Sequence, residues 1–351
     1  SNFKNALFHL KTFGIRSVLR KTFDYLEFTQ KYNQWRSDKL PSTRSLEKQR
    51  STLFAVRPKI SIIVPVYKTP AEFLRQMLDS VTAQTYTEWE LCIADGSADE
   101  AASYIFEIIE KYQKQYPNIL YRRLPRNLGI SGNTNAALEL AGGDYVALLD
   151  HDDILAPDAL FEIVNAINQR HKGIDVLYTD EDKADIHLKR YYDPYFKPDY
   201  NLDLLRSCNY ITHFFVVKKS LAEDVGGFSS QCNGSQDYDF ILKTCEKANS
   251  VCHIPKVLYH WRIHPASVAG DPQNKTYAYD SALQALQQHL NRCGENGTVK
   301  KDRPFGYYQI EYPVAGCPNV SIYMKNCSTS LKKQIQSIST YKNYRFIQNL
   351  H

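Results

Sequence analysis

Three carboxylates lie within four residues at Asp150-His151-Asp152-Asp153, directly after the apolar segment 144–149. Carboxylates this close repel one another and need a cation or hydrogen-bond donors. Their hard oxygen ligands select Mg²⁺ or Mn²⁺, ions that share the rest of their coordination shell with phosphate oxygens. The segment therefore predicts a divalent metal site for a phosphorylated ligand. The alternative is an acidic turn that caps the helix after Pro157.

A later segment adds candidate ligands for such a site. Residues 259–264 alternate with a period of two, so His260, Arg262 and His264 share one face of a predicted strand. Each histidine is either a ligand of a metal or diphosphate, or a structural residue with satisfied hydrogen bonds. Arg262 is a candidate for a phosphate contact. Trp261 points the other way, and core packing is the favoured interpretation for it.

The elements that must position these residues alternate between strands and helices. The β-branched run 60–66 is nearly continuous, which is typical of a strand buried on both faces. Helical periodicity separates the further predicted strands at 89–94, 119–123 and 144–149. This alternation predicts an α/β fold with a mainly parallel central sheet and helices on both faces. Ligands of such sheets bind at the carboxyl ends of the strands, where Asp95 and the acidic segment fall.

The bulk composition is that of a globular protein. The 351 residues are 43% hydrophobic and 23% charged, and the net charge of +5 suits an anionic nucleotide or membrane surface without requiring either. Eight Cys without a Cys-x-x-Cys pair argue against a disulfide scaffold or zinc knuckle and favour reduced thiols in the cytoplasm. No apolar run reaches about 18 residues, so the sequence predicts no transmembrane helix.

The chain divides into four predicted segments. Residues 1–57 form a basic helical extension, 58–300 the α/β domain, 301–317 a linker, and 318–351 a repeat of the start of that domain. Two interpretations of the extension stay open: it packs on the next domain, which we favour, or it contacts anionic lipid at the inner face of the cell membrane. Only its basic residues point to nucleic acid, so we predict no nucleic-acid partner.

The internal repeat is visible in three stretches. Pro318-Asn319-Val320-Ser321-Ile322 echoes Pro58-Lys59-Ile60-Ser61-Ile62, and 331–338 and 341–347 echo 74–81 and 86–92. The repeat has no counterpart of the acidic segment and cannot be catalytic as it stands. We interpret it as the truncated start of a second domain, in a fragment of a longer chain; a degenerate remnant is the alternative.

The motifs taken in order resemble glycosyltransferase family 2, whose members have the GT-A fold. The resemblance rests on Ser61-Ile62-Ile63-Val64-Pro65-Val66-Tyr67, Asp95-Gly96-Ser97, Asn127-Leu128-Gly129, Gly142-Gly143-Asp144 through Asp153, Phe196-Lys197-Pro198-Asp199, Gly226-Gly227-Phe228, Gln236-Asp237-Tyr238-Asp239 and residues 258–267. It covers about 58–295, and the repeat resembles polysaccharide-assembling members with two tandem domains. The chain is therefore predicted to be a glycosyltransferase.

This resemblance implies roles for individual residues. Asp150 and Asp152 match the Asp-x-Asp pair that holds the ribose and the metal-bound diphosphate, and Asp95 is expected to hydrogen-bond the base. Asp237 matches the general base of inverting members; Gln236 stands where Glu is common, and Asp239 is a weaker substitute base. The implied nucleotide pocket is lined by Pro65, Val66, Tyr67, Asp95, Asn127, Gly129, Asn133 and Asp150.

The same resemblance also suggests roles for the remaining candidate residues. The family often supplies a metal or diphosphate ligand from the segment around His264, which we favour over His260. Asp180-Glu181-Asp182 is predicted to follow a strand end, where it borders the acceptor site or lies in a solvated loop. Gln236 and Trp261 are further acceptor candidates.

The predicted activity is a metal-dependent, inverting transfer with Mn²⁺ or Mg²⁺. The donor is expected to be a UDP- or dTDP-linked sugar, and the acceptor a glycan, lipid-linked or protein-linked. An inactive relative that binds carbohydrate or a partner protein is the alternative. A dehydrogenase is disfavoured because no G-x-G-x-x-G follows the first strand, and a nucleotidyltransferase because Pro65-Val66-Tyr67-Lys68 contains no Gly.

Overall fold

A computed structural model describes residues 2–170, 173–264, 276–302, 306–313, 316–324 and 328–348. Two helices come first, α1 (Asn2–Lys39) and α2 (Thr43–Arg50). The first half of the domain then alternates as β1 (Ile60–Val66), α3 (Ala71–Thr82), β2 (Trp89–Asp95), α4 (Asp99–Gln113), β3 (Ile119–Arg123), α5 (Gly129–Leu138) and β4 (Tyr145–Leu148). These four strands pair in parallel in the order β3-β2-β1-β4.

The second half extends the same sheet with mixed strand directions. Its elements are β5 (Ile154–Leu155), α6 (Ala159–Gln169), β6 (Val176–Ala184), β7 (Tyr191–Tyr195), α7 (Leu202–Ser207), β8 (Phe215–Lys218), α8 (Lys219–Asp224), α9 (Gln236–Lys247), β9 (Val251–Arg262) and α10 (Thr276–Arg292). β8 runs antiparallel between β4 and β6, and β6 runs parallel to β9. Among the described residues nine strands form this one sheet, which confirms the predicted α/β fold class.

The strands of the parallel half are buried on both faces. Every residue of β1 and β2 is buried. In β1, Ile62 and Val64 pack in one core and Ile63 in the other. Fully burying one aliphatic side chain of this size stabilises the fold by about 1.5–3 kcal/mol. The β-branched run predicts this strand correctly because both of its faces are apolar.

The acidic residues 180–182 correct the prediction. They do not follow a strand end, because β6 continues through them to Ala184, and all three are buried. Each carboxylate contacts a basic side chain: Asp180 contacts His253, Glu181 contacts Lys197, and Asp182 contacts His260. Paired in this way, the acids remain in a buried strand and form no solvated loop.

The last part of helix α1 packs on the sheet. The buried Tyr32 hydroxyl donates to Asp182 Oδ2 at 2.6 Å, and Arg36 Nε lies 3.5 Å from the same oxygen. Arg36 also lies over the Tyr191 ring, 3.5 Å from its centroid. These contacts agree with the interpretation that the extension packs on the next domain. The side chains of 2–15 and 18 lie outside the description.

Tyr32→Phe removes one donor from the buried Asp182 carboxylate while the ring remains. The expected result is a loss of about 1.5–3 kcal/mol in the free energy of unfolding, typical of a hydrogen bond to a charged group. Urea unfolding followed by circular dichroism measures it, with the exposed Tyr323→Phe as the control. A midpoint equal to that of the unmodified chain would show that the contact adds no stability.

Part of the predicted linker 301–317 belongs to the main domain. β10 (Thr298–Lys301) and β11 (Tyr308–Glu311) pair as an antiparallel hairpin. Tyr308 is buried against Tyr238 and Tyr279, and this packing holds the hairpin on the domain. The linker prediction missed the hairpin because its strands are only four residues long.

The predicted repeat folds as a second β-α-β unit. β12 (Val320–Met324), α11 (Thr329–Ile338) and β13 (Tyr344–Gln348) follow one another, and the two strands pair in parallel. Val320 pairs with Tyr344 as Ile60 pairs with Trp89, in the register that the sequence echo gives. Within the part of the chain that the structure describes, no helix is long and apolar enough to cross a membrane.

Candidate functional site

The first part of the site is the meeting point of β1 and β2. Val66 pairs with Asp95, the amide of Gly96 donates to Val66 O at 2.9 Å, and the amide of Lys68 donates to Ser97 Oγ at 2.7 Å. The turn after β1 therefore lies against the turn after β2. This places the predicted nucleotide-pocket residues of the two motifs side by side, with Tyr67 exposed.

The side chain of Asp95 is fully enclosed. Its carboxylate accepts hydrogen bonds from the Tyr121 hydroxyl at 2.9 Å and from the Ser97 amide at 2.8 Å. A nucleotide base that contacts Asp95 must therefore share the carboxylate with these two donors. A cavity of about 480 Å³ opens beside the ends of β2 and β3, lined by Ser97, Ala98, Arg123, Leu124, Pro125 and Arg126.

The loop before α5 is tied to this region by its asparagines. Asn127 Oδ1 accepts from the Gly129 amide and from Asn133 Nδ2, both at 3.0 Å. Gly129 has a φ of +76°, a left-handed conformation that favours glycine. A Cβ on Gly96 would lie 2.8 Å from Asn133 Nδ2. Asn127 and Asn133 thus shape the loop around Gly96.

The acidic turn lies where β4 ends and β5 begins. Asp153 is buried, accepting from the Tyr259 hydroxyl at 2.6 Å and from the Arg262 amide at 2.7 Å. Burial and the neighbouring Asp152 and Asp150 raise the pKa of Asp153 well above its ordinary value. Asp153 therefore anchors the turn to β9, and it leaves Asp150 and Asp152 as the more accessible carboxylates.

The structure gives the side chain of Arg262 several protein partners. The guanidinium is fully buried, donating to Asp152 O at 2.6 Å, Gln76 Oε1 at 2.5 Å and Ile186 O at 2.9 Å. It also lies 4.4 Å from the centre of the Phe73 ring. Arg262 thus supports the backbone of the acidic turn, and its phosphate contact stays a prediction.

The two histidine candidates occupy different places. His264 Nε2 lies 2.8 Å from Asp152 Oδ2, at the end of β9. His260 is buried and its Nδ1 lies 2.5 Å from Asp182 Oδ1, on the α1 side of the sheet. Of these two histidines, His264 is therefore the one that contacts the acidic turn, and its role as a ligand stays a prediction.

A third histidine, His213, was missed by the sequence analysis. Its Nε2 lies 3.7 Å from Asp150 and its Nδ1 lies 3.3 Å from Glu181, while its ring stacks on Tyr259 with 4.5 Å between centroids. Burial lowers the pKa of His213, but Glu181 and Asp150 outweigh it and hold the pKa well above 6.5. The only sequence signal was a lone His before an apolar strand, and such a residue is more often structural.

Ligand atoms of Asp150, Asp153 and His213 lie within 4.8 Å of one another, which is compatible with a second arrangement around a metal. Asp152 and His264 form the other group of candidate ligands, with Asp150 beside them. His213 thus adds a candidate that contacts both Asp150 and Glu181.

Glu181 is held by Lys197, a second residue whose role the sequence did not indicate. Lys197 Nζ lies 3.0 Å from Glu181 Oε2, donates to Ile211 O at 2.6 Å and contacts His213 O. Burial lowers the pKa of Lys197, and Glu181 opposes that effect. The pair fixes the segment that carries His213, so Glu181 acts from behind the site and is not exposed to an acceptor.

Asp237 lies in the first turn of α9, where its Oδ2 accepts from Asn209 Nδ2 at 3.0 Å. Burial raises the pKa of Asp237, while His213 acts in the opposite direction. Asp239 is buried beside Lys243, with 3.0 Å between Oδ2 and Nζ, and this excludes it as the substitute base. Gln236 accepts from the Gly234 amide, and in this arrangement it supports the turn before α9.

A cavity of about 610 Å³ opens in front of Asp237. Trp261 lines this cavity, and its partly buried ring also packs against the core. The core prediction for Trp261 was therefore incomplete. The residues that line the cavity come from β6, β7, β9, α9, α10, the hairpin and the segments that follow α7 and precede α9: Lys183, Tyr195, Cys208, Asn209, Gly234, Ser235, Asp237, Tyr238, Trp261, Ala282, Gly306, Tyr307 and Tyr308.

The fold and part of the sequence are similar to those of known proteins. The structure of S. aureus TarS 1-349 in complex with UDP-GlcNAc superposes with a TM-score of 0.53 at 22% identity, over 66% of this chain and 67% of that one. This likeness shows that the chain has the predicted GT-A fold. Residues 61–226 match the family model described as Glycosyl transferase family 2, and the chain belongs to that family.

Two proteins whose sequences are more similar to this chain than that of TarS are also much longer than this chain. The chain is 38% identical over 299 residues to the uncharacterized protein y4gI of Sinorhizobium fredii, and 31% identical over 315 residues to the O-antigen biosynthesis protein RfbC of Myxococcus xanthus. These alignments cover 83% and 89% of this chain, but 32% and 24% of the relatives. The chain thus spans about a third or less of their length. The match of residues 61–226 to the model described as Glycosyl transferase family 2 confirms the predicted family.

Proposed function

We propose that this chain transfers a sugar from a nucleotide-diphosphate donor to a hydroxyl of a glycan, with a divalent metal and with inversion at the anomeric carbon. The observation that carries the proposal is the contact of Asp152 with His264, 2.8 Å apart at the carboxyl end of the sheet. Asp237 faces a cavity nearby and is close enough to Asp150 for their charges to interact. A metal-bound donor and an acceptor can therefore occupy adjacent positions.

The residues present fit Mn²⁺ or Mg²⁺. Asp152 and His264, whose ligand atoms lie 2.8 Å apart, would hold the ion. Mn²⁺ accepts this mixture of oxygen and nitrogen more readily than Mg²⁺ does. When bound, the ion would stabilise the negative charge on the departing diphosphate. Arg262 holds the turn in place through Asp152 O.

The remaining chemistry falls to the side chains. Asp237 accepts the proton of the acceptor hydroxyl, and the oxygen forms a bond to the anomeric carbon on the face opposite the leaving group. The bond from that carbon to the diphosphate oxygen breaks, and the nucleotide diphosphate leaves with the electron pair. Asn209 orients the Asp237 carboxylate through its 3.0 Å hydrogen bond. His213, 3.7 Å from Asp150, would in its protonated form add to the field that favours the diphosphate.

A uridine nucleotide is the donor to test first, because the TarS structure with the same fold holds UDP-GlcNAc. A dTDP-linked sugar is the second choice. The proposed nucleotide pocket extends from the acidic turn to the cavity beside β3, and it includes Pro65, Val66, Tyr67, Asp95, Asn127, Gly129, Asn133 and Asp150. The acceptor is a glycan hydroxyl, with lipid-linked and protein-linked glycans both consistent with the open cavity.

The proposal is tested by donor hydrolysis and nucleotide binding. The purified protein is incubated with UDP- and dTDP-sugars with Mn²⁺, with Mg²⁺ or with EDTA, and release of the nucleotide diphosphate is measured. We expect release with at least one donor, dependent on the metal. Calorimetry with UDP and Mn²⁺ gives an independent measurement. No release with any donor and no metal-dependent nucleotide binding would favour an inactive binding relative.

We also propose that helix α1 contacts the inner face of the cell membrane. Leu19 and Phe23 are 62% and 67% exposed one turn apart on α1, and Leu26 continues this apolar row. Arg16, Arg20 and Lys21 lie in the same part of the helix, where they can meet anionic headgroups. The protein would then be cytoplasmic and peripheral to the membrane.

The double variant Leu19→Ser, Phe23→Ser is expected to lose most of its binding to vesicles, because both apolar contacts with the lipid are removed. Flotation with phosphatidylglycerol vesicles measures it, and phosphatidylcholine vesicles report the part due to charge. Leu53→Ser, at a position 89% exposed outside the helix, is the control. Equal flotation of the double variant and the control would contradict the lipid contact.

A further inference from the structure

The cavity in front of Asp237 is built differently from the donor side of the site. Five of the thirteen residues that line it are aromatic, namely Tyr195, Tyr238, Trp261, Tyr307 and Tyr308. Its volume of about 610 Å³ lies within the range of about 300–1,000 Å³ that is usual for small-ligand sites. Aromatic walls with a few polar groups are typical of pockets that bind the apolar faces of a ligand.

Two tyrosines present partly exposed rings to this cavity. Tyr195 is 39% exposed and Tyr307 is 44% exposed. The backbone of Tyr307 is held in place, because the Tyr279 hydroxyl lies 2.8 Å from Tyr307 O and 2.9 Å from Asp302 O and shares its single proton between these two carbonyls. A ring that is exposed while its backbone is fixed forms a contact surface at low entropic cost.

The hairpin that carries Tyr307 packs against the helix that carries the proposed general base, Asp237. Tyr308 packs on Tyr238, with 6.2 Å between ring centroids, and Tyr238 follows Asp237 directly in α9. Tyr238 also donates to Leu205 O, which fixes the start of the helix. The hairpin and Asp237 therefore form one packed unit, although residues 298–311 lie outside the segment that matches the family.

The charges of the cavity favour an uncharged ligand. Lys183 Nζ lies 3.2 Å from Asp193 Oδ2, so its charge is already balanced. Asp237 is the other charged residue that lines the cavity, and as a base it is negative when it acts. A carboxylated or sulfated ring would be repelled by this carboxylate at close range.

We propose that this cavity is the acceptor subsite, that it binds an uncharged sugar ring against Trp261, Tyr195 and Tyr307, and that the β10–β11 hairpin determines acceptor selectivity. The proposal rests on the proposed transferase function for the role of Asp237. The C–H faces of a neutral pyranose pack on aromatic rings, and its hydroxyls reach Asn209 and Asp237 at the inner end of the cavity. Tyr307 and Trp261 are thus binding residues for the acceptor and do not take part in the chemistry.

The test uses the full chain, fluorescently labelled and saturated with UDP and Mn²⁺, on a microarray of neutral and acidic bacterial oligosaccharides. We expect the unmodified protein to bind neutral saccharides, and Tyr307→Ala and Trp261→Ala to lose about tenfold or more of the affinity, as for central aromatic contacts. Tyr307→Phe keeps the ring and should retain binding. Tyr323→Ala, an exposed tyrosine outside the cavity, is the control.

Three results would overturn the proposal: no saccharide binding by the unmodified protein, binding confined to acidic saccharides, or unchanged binding by Tyr307→Ala. Calorimetry with UDP and Mn²⁺ on the same preparations separates the two hypotheses. If UDP does not bind while Tyr307→Ala still loses neutral saccharides, the transferase function fails and the saccharide subsite stands. Circular dichroism spectra identify any variant that loses binding because it fails to fold.

Discussion

Asp237→Asn is expected to lower the rate of sugar transfer by about 10²–10⁴-fold, the range over which a positioned general base contributes. The amide keeps the size of the side chain but cannot accept the proton of the acceptor hydroxyl. Nucleotide binding should change little, because the proposed metal ligands Asp152 and His264 are unaltered. Single-turnover transfer and UDP calorimetry on the same protein measure the two effects separately.

Two controls accompany this variant. Asp203→Asn makes the same chemical change in the first turn of α7 at an exposed position, and it should leave transfer unchanged. Asn209→Ala removes the partner of Asp237 and should lower the rate less than loss of the carboxylate itself. Transfer by Asp237→Asn at the rate of the unmodified protein would remove Asp237 from the mechanism.

The pH profile provides a further test of the same assignment. Burial raises the pKa of Asp237 above 3.8, and the charge of His213 offsets only part of this effect. The base acts in its deprotonated form, so kcat/KM should rise with pH through this raised pKa. In Asp237→Asn this rise of kcat/KM with pH should disappear. A rise that is due to the ionisation of another group would remain.

The parallel half of the sheet and its strand ends could be predicted because their signals are local. β1 is apolar on both faces, and the acidic turn follows β4 at the edge where parallel strands end. The family resemblance and the strand periodicity singled out His264 and Asp152 as candidate ligands, and the structure brings the two side chains into contact. The register of the repeat was also readable, since Val320 and Tyr344 occupy the positions of Ile60 and Trp89.

The predictions for the second half of the domain failed at side chains whose positions depend on residues far away in the sequence. A run of three acids resembles a solvated loop in the sequence, yet Asp182 is buried because Tyr32, 150 residues earlier, and His260 donate to it. Arg262 shares a strand face with His264, but packing on Phe73 turns its guanidinium into the protein. The periodicity of a strand predicts on which face a side chain lies, but it does not predict how deeply that side chain is buried. His213 shows the same limit, since two carboxylates from other strands and turns determine its charge.

Asp152→Asn and His264→Ala are each expected to weaken Mn²⁺-dependent UDP binding by about 100-fold or more, since residues that merely orient metal ligands already contribute about 10–100-fold. Calorimetric titration of UDP with and without Mn²⁺ measures the metal-dependent part. His260→Ala is the matched comparison: His260 contacts Asp182, so its loss should lower stability more than metal affinity.

The two histidines thus give opposite expectations for the same experiment. If His260→Ala lowers Mn²⁺ affinity as much as His264→Ala does, the ligand assignment drawn from the 2.8 Å contact is wrong. If Asp152→Asn leaves the Mn²⁺ dependence intact while Asp150→Asn removes it, the ion lies nearer to His213, and the charge on that imidazolium must be displaced when the ion binds. Binding of Mn²⁺ would then release a proton, which titrations in buffers of different ionisation enthalpy detect directly.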